Sequence, residues 1–307
     1  MKTTPVTSQD LTRSVLAVPP LCMRHDGMPS AVENQKLVAF LAAAGISTFV
    51  YGGNANAFHL SCAEFAATLE QAAAAVPDEA WLLPSIGPDF GKARDQIAIL
   101  RGLRFPAAML LPGSSPSTLG GVADGIRRLA DALGAPLVLY LKSETYIAIG
   151  SLQSLTREGR VCGVKYAVPR NDPSVDEYLK SLVASCGAEV LVSGFGERPA
   201  VAHCRSFGIK AFTSGLVCIA PHLSSRLLGA LARGHYDEAE SLRKRFLALE
   251  DIRDAHSPIS VLHAAVAALG IADTGPITPF MSSVSDERVL EGIAAESQRL
   301  RAADLGR

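Results

Sequence analysis

The order of strand and helix signals along this chain predicts an α/β fold, a (β/α)8 TIM barrel followed by a C-terminal helical appendage. Three observations carry the prediction. Short apolar, β-rich runs alternate with Ala/Leu-rich amphipathic stretches eight times in succession. Gly45, Gly134, Gly187 and Gly208 each follow a helical stretch, where a chain leaving a helix turns through a left-handed conformation that glycine adopts at least cost. Beyond residue 234 the strand pattern stops and only helical periodicity remains.

Strands are expected at 14–21, 47–52, 80–85, 107–112, 136–142, 161–168, 188–194 and 210–217. Helices are expected between them at 31–44, 62–75, 89–103, 117–133, 149–158, 174–186, 197–207 and 221–233. Eight such units in a row argue for a parallel sheet closed on itself. Residues 1–233 would then form the barrel. Residues 234–307 would form a region of three helices, at His235–Ile252, Pro258–Leu269 and Ser285–Ala303. No internal repeat or low-complexity linker interrupts the pattern.

At 307 residues and 48% hydrophobic, the chain is long and apolar enough for a sizeable core. Its 29 Lys and Arg nearly balance 30 Asp and Glu, so no net field draws nucleic acid or an acidic membrane surface. The six cysteines (Cys22, Cys62, Cys162, Cys186, Cys204 and Cys218) are scattered, with no CxxC pair and no Cys/His ligand spacing. They read as reduced core thiols of a cytoplasmic protein. Met1–Asp10 lacks an apolar signal core, and no apolar run reaches membrane-spanning length.

Lys165 is the most informative residue. It lies in the apolar run Val161-Cys162-Gly163-Val164-Lys165-Tyr166-Ala167-Val168. Burial penalises an ammonium and lowers its pKa, leaving a free amine able to attack a carbonyl. Two-residue alternation puts Val161, Gly163, Lys165 and Ala167 on one face, so Gly163 would leave room for a ligand beside the amine. The plainer reading is an edge-strand lysine whose head reaches water.

In a (β/α)8 barrel, chemistry gathers at the C-terminal ends of the strands. The fifth strand, Pro136–Lys142, turns Leu137, Leu139 and Leu141 toward the helices, and Val138, Tyr140 and Lys142 inward. Tyr140 would then be a phenol at the barrel mouth, able to relay a proton, or else a packing aromatic. The second strand ends in Gly52-Gly53-Asn54-Ala55-Asn56, a tight loop whose backbone N–H groups could hold a carboxylate, or an ordinary turn. The eighth ends in Thr213-Ser214-Gly215, offering rim hydroxyls or simple loop polarity.

Taken in order, these segments resemble the dihydrodipicolinate synthase/N-acetylneuraminate lyase family of class I aldolases and dehydratases. The likeness runs from Val15-Leu16-Ala17-Val18-Pro19-Pro20-Leu21 through Gly52 to Ser61, which aligns with the family's G-T-T-G-E-x-x-x-L-S. It continues through Pro136–Tyr140, the strand of the catalytic tyrosine, and Gly163-Val164-Lys165, matching G-[IV]-K with the Schiff-base lysine. Val192-Ser193-Gly194, the stretch from Phe207 to Pro221 and the helical tail fit the later part. Departures are equally specific. Gly53 and Asn54 stand where the synthases have two threonines, and Asn56 stands for the glutamate. Pro112-Gly113-Ser114-Ser115-Pro116 lacks the interface tyrosine, and Leu141-Lys142-Ser143-Glu144-Thr145 lacks the arginine that grips the second substrate.

The resemblance implies a Schiff-base lyase acting on a small-molecule α-keto acid, pyruvate-derived or a keto-deoxy sugar acid. Lys165 would be the nucleophile and Tyr140 the proton relay. Gly53, Asn54 and Ala55, with Ser214 and Gly215, would bind substrate. Lys142 would depress the pKa of Lys165 and draw in an anion, or would simply be a solvated rim residue. The chemistry asks for no cofactor and no metal. The resemblance also implies a homo-oligomer, a tetramer built as a dimer of dimers. The nearly all-apolar stretch Val261–Leu269 argues the same way, since a lone barrel would leave part of it wet. The rival of another class is an eroded barrel serving as a small-molecule-binding or regulatory protein; authentic 4-hydroxy-tetrahydrodipicolinate synthase activity fits less well.

Overall fold

Eight parallel strands run in sequence order around one sheet: β1 (Leu16–Ala17), β2 (Thr48–Tyr51), β3 (Trp81–Ile86), β4 (Ala108–Leu110), β5 (Leu137–Leu141), β6 (Val161–Tyr166), β7 (Leu191–Ser193) and β8 (Thr213–Ser214), with β8 beside β1. A parallel bridge between Ser193 and Phe212 joins β7 to the β8 segment and closes the ring. The computed structural model describes residues 1–113, 116–278 and 280–306. The barrel is therefore the (β/α)8 fold that the sequence pattern predicts. Around it lie α1 (Ala31–Ala43), α2 (Cys62–Ala75), α3 (Phe90–Gly102), α4 (Leu119–Leu133), α5 (Ile149–Arg157), α6 (Glu177–Cys186), α7 (Glu197–Phe207) and α8 (Pro221–Ala232).

The helices begin where their caps dictate. Ser61 accepts the Glu64 N–H while the Glu64 side chain accepts the Ser61 N–H, a reciprocal cap that starts α2 immediately after the second loop. Asp176 caps α6, and Gly45, Gly134, Gly187 and Gly208 all take positive φ at helix ends.

Two apolar layers hold the ring. Leu137, Leu139, Leu141, Val164 and Tyr166 face the helices, whereas Leu16, Val50, Leu83, Met109, Val138 and Val192 fill the interior. The N-terminal segment belongs to the interior layer: Val6 and Leu11 enter the barrel from its N-terminal end. Trp81 clasps that segment, donating from Nε1 to the Thr4 carbonyl at 3.2 Å with the Lys2 ammonium 4.2 Å from its ring centroid.

Leu11 corrects one expectation. A Cβ on Gly163 would fall 2.5 Å from Leu11 Cδ1, so the space beside this glycine is occupied by the N-terminal plug and holds no ligand. The strict alternation expected for β6 also fails. The β5–β6 register slips between Leu137 and Val138, which pair with Val161 and Gly163. The slip moves Cys162 to the interior layer and Val161 to the helix layer, while Lys165 still faces in.

Several apolar runs are less extended than expected. At 188–190 and 216–218 the chain forms 3-10 turns, because burial alone does not distinguish a strand from a packed turn. Among its described residues the appendage holds four helices and not three: α9 (Tyr236–Lys244), α10 (Leu247–Ala255), α11 (Pro258–Ala268) and α12 (Glu287–Asp304). The expected first helix breaks at Arg245–Phe246, where N–H groups reach back three residues and Phe246 turns into the core. Within α11, Val261, Leu262, Ala265 and Val266 are fully buried inside the single chain. Ala267 and Ala268, in the last turn of α11, are exposed, so part of the apolar stretch is wet in the single chain. No helix among the described residues is long and apolar enough to cross a membrane, and all six cysteines are free thiols.

Candidate active site

Tyr140 and Lys165 are register partners on the adjacent strands β5 and β6, and both side chains turn into the barrel. The Lys165 Nζ lies 4.0 Å from the centroid of the Tyr140 ring. The lysine is only 6% exposed. Burial is the chief cause that lowers its pKa to about 7, with the positive charges of Lys142 and Arg253 adding to the effect. No carboxylate hydrogen-bonds the ammonium among the described residues. Burial likewise pushes the Tyr140 phenol up to about 12, which keeps it a protonated donor at neutral pH.

The strand carrying Lys165 is pinned from outside. Tyr166, its outward-facing neighbour, donates from its hydroxyl to Asp176 at 2.5 Å, and Arg170 Nε meets the same carboxylate at 2.9 Å. Arg170 also pairs with Glu144, tying the loop after β5 to the loop after β6.

Lys142 stands at the rim and not inside: it is exposed, with Nζ 5.9 Å from the Tyr140 ring centroid. Gly53, Asn54 and Ala55 form a 3-10 turn after β2. Such a turn consumes its own donors, and the Ala55 N–H goes to the Gly52 carbonyl at 3.1 Å. The Asn54 side chain donates from Nδ2 to the Val18 carbonyl at 2.7 Å. Thus the expected cradle of Asn54 and Ala55 donors is in part already spent. Ser214 departs further from expectation, because its hydroxyl is buried and donates to Glu197 Oε1 at 2.7 Å, away from the rim. Gly215 follows directly and packs against Asn54, Leu262 and Arg253. Of the segment after β4, Ser114 and Ser115 lie outside the described residues.

With Lys165 and Tyr140 paired at the C-terminal ends of β5 and β6, the likeness to known proteins becomes decisive. The sequence model of the Dihydrodipicolinate synthetase family matches residues 12–294. The chain belongs to that family. Solved family structures share the fold at low identity. A dihydrodipicolinate synthase from Bacillus clausii superposes with TM-score 0.84 at 23% identity, covering 95% of this chain and 98% of that one. Another, from Oceanobacillus iheyensis, gives 0.83 at 20%, covering 98% of each chain. A sialic acid aldolase from Ruminococcus gnavus gives 0.81 at 13%, covering 95% of this chain and 99% of that one. No curated protein matches the sequence.

Around Tyr140 and Lys165 the fold assembles polar groups that the sequence did not reveal. Glu197, the first residue of α7, is fully buried; Oε1 accepts from Ser214 and from Ser224 at 2.6 Å, and Oε2 has no partner among the described residues. Burial, then the nearby Glu250, raises its pKa to about 7. Its place straight after Gly194-Phe195-Gly196 at the end of β7 was the one available signal. His263 of α11 is held neutral by burial, with its pKa lowered to about 4. Its Nε2–H therefore donates to the Asn54 carbonyl at 2.9 Å and fixes the second loop from the appendage. Arg253 and Glu250 of α10 form a buried ion pair at 2.9 Å. Nothing in a helical pattern announces that these side chains reach the barrel.

Proposed function

We propose that the protein is a class I, Schiff-base-forming lyase acting on an α-keto acid, either pyruvate-derived or a keto-deoxy sugar acid. The observation that carries this reading is the buried Lys165 amine, with its pKa lowered to about 7, set 4.0 Å from the Tyr140 ring. An amine near half-deprotonated at neutral pH is a competent nucleophile. Lys165 Nζ attacks the keto carbon, a C–N bond forms, and the carbonyl pair moves to oxygen. Tyr140 donates one proton to that oxygen and the attacking nitrogen gives up a second, so the oxygen leaves as water and the lysine, keeping one N–H, becomes a protonated imine. The imine takes up the electrons of a neighbouring C–C or C–H bond as an enamine, and the enamine can add to a carbonyl or expel an adjacent hydroxyl, so aldol cleavage, condensation and dehydration share this intermediate. Lys142 at the rim favours entry of an anion and disfavours a second charge on Lys165. Gly53 and Asn54, with Gly215 opposite, would bound the carboxylate end.

Membership of a family that includes a sialic acid aldolase with a catalytic lysine among its fold neighbours supports the assignment. A second reading, a small-molecule-binding barrel without turnover, draws on the altered loop, whose Asn54 amide is committed to Val18. Borohydride reduction in the presence of pyruvate separates the two. Mass spectrometry should find one irreversible adduct, on Lys165, and none in Lys165→Ala. An adduct on Lys142, or none in the native protein, would overturn the lyase reading. We further propose a cytoplasmic homo-oligomer, a dimer of dimers; light scattering showing a monomer at micromolar concentration would refute that assembly.

A further inference from the structure

Arg253 brings a guanidinium from the appendage to the edge of the barrel mouth. Its side chain is nine-tenths buried. Nε donates to the Pro258 carbonyl at 3.2 Å, and Nη1 donates to both oxygens of Glu250 at 3.0 and 2.9 Å. Because the guanidinium is planar, these two fixtures also fix the direction of its third nitrogen. Nη2 has no hydrogen bond among the described residues and lies against Gly215. A Cβ built on Gly215 would stand 3.3 Å from Arg253 Nη2 and 2.8 Å from Asn54 Nδ2. Two donor-bearing side chains, one from α10 and one from the loop after β2, therefore close on a single glycine at the end of β8. In the ring of strands, β1 and β2 stand opposite the β5–β6 pair that carries Tyr140 and Lys165, and β8 is two strands from β6.

We infer that Arg253 is a specificity-determining residue whose Nη2 binds the carboxylate of the keto acid while its keto carbon faces Lys165. This rests on the Schiff-base reading for the position of the keto carbon, one bond from the carboxylate. Two further points favour it. The positive charge of Arg253 is felt at Lys165, so the guanidinium faces the amine across the protein interior closely enough to act on it. Finally, Glu250 neutralises the guanidinium only from the Nη1 side, which lets a buried arginine persist while leaving a charge-assisted donor for an anion. Gly215 is then required because any side chain there would come between the donors.

Arg253→Lys tests the proposal, since it keeps a cation for Glu250 and removes Nη2. Adduct formation at Lys165 is followed over a range of concentrations of pyruvate and of hydroxyacetone, a ketone without a carboxylate. The half-trapping concentration of pyruvate should rise about 10-fold or more, the usual scale for a lost charge-assisted hydrogen bond. That of hydroxyacetone should stay put. An unchanged pyruvate value, or an equal loss for both ketones, would overturn the assignment. If the native protein traps neither ketone, the Schiff-base reading fails by itself, and Arg253 is judged by binding alone. Pyruvate should then raise the melting temperature of Lys165→Ala, and the rise should vanish in Lys165→Ala/Arg253→Lys. A rise that survives the second substitution, or no rise in the first variant, would overturn it.

Discussion

Leu11 and Gly163 meet inside the barrel so closely that a Cβ on the glycine would lie 2.5 Å from Leu11 Cδ1. The N-terminal segment is thus part of the interior layer, and the small residue on β6 serves packing. Gly163→Ala should destabilise the fold by about 1–3 kcal/mol through overpacking. Leu11→Ala alone should cost about 2–5 kcal/mol as a cavity forms. In the double variant the new methyl occupies vacated space, so the two losses should sum to less than their separate values. Denaturant unfolding of all four proteins measures this, and strict additivity would show that the two side chains do not meet.

Tyr140→Phe removes the phenol beside Lys165 and leaves the ring in place. Imine formation should slow by roughly 10²–10⁴-fold, the range for losing a positioned general acid–base. Pyruvate affinity should change little. Stopped-flow single turnovers near the native rate would leave the tyrosine as a packing residue.

The lowered pKa of Lys165 sets a pH profile. Only the neutral amine attacks, so the rate of adduct formation should climb as pH rises through about 7 and level off above it. Lys142→Met removes a like charge that disfavours protonation, so the ascending limb should move to higher pH. A limb that moves down, or stays fixed, would dissociate the rim lysine from the nucleophile.

Glu197 makes stability depend on pH. Its folded pKa is raised from the usual 4.5 to about 7, so between those values the folded state holds more protons than the unfolded one. Stability from this group therefore falls as pH rises from about 4.5 to about 7. Glu197→Gln keeps an oxygen for Ser214 and Ser224 and cannot ionise. Relative to the native protein, its melting temperature should be higher at pH 8 than at pH 5. A constant difference between the two across this range would show that Glu197 does not titrate there.

Much of the architecture was legible because it rests on local rules. The eight alternations and the glycines at helix ends depend on residues close in sequence, and α2 and α7 match their expected ranges, Cys62–Ala75 and Glu197–Phe207. Lys165 was equally legible, since a lysine inside an apolar strand conflicts with burial wherever the strand lies. The slipped register at Cys162 was not, because it depends on how β6 pairs with β5.

What the sequence by itself determined, then, is the order of strands and helices and the inward-facing Tyr140–Lys165 pair, each set by periodicity along one segment. What only the tertiary structure decided is everything made by segments far apart. Leu11 fills the space at Gly163, Ser214 turns its hydroxyl to Glu197, and His263 holds Asn54 from 209 positions away. Arg253 arrives at Gly215 from a helix whose own pattern shows only an Arg three residues after a Glu. The physical reason is that desolvation and hydrogen-bond satisfaction are properties of a place in the fold. A side chain's periodicity says which way it points, and only packing says what it meets there.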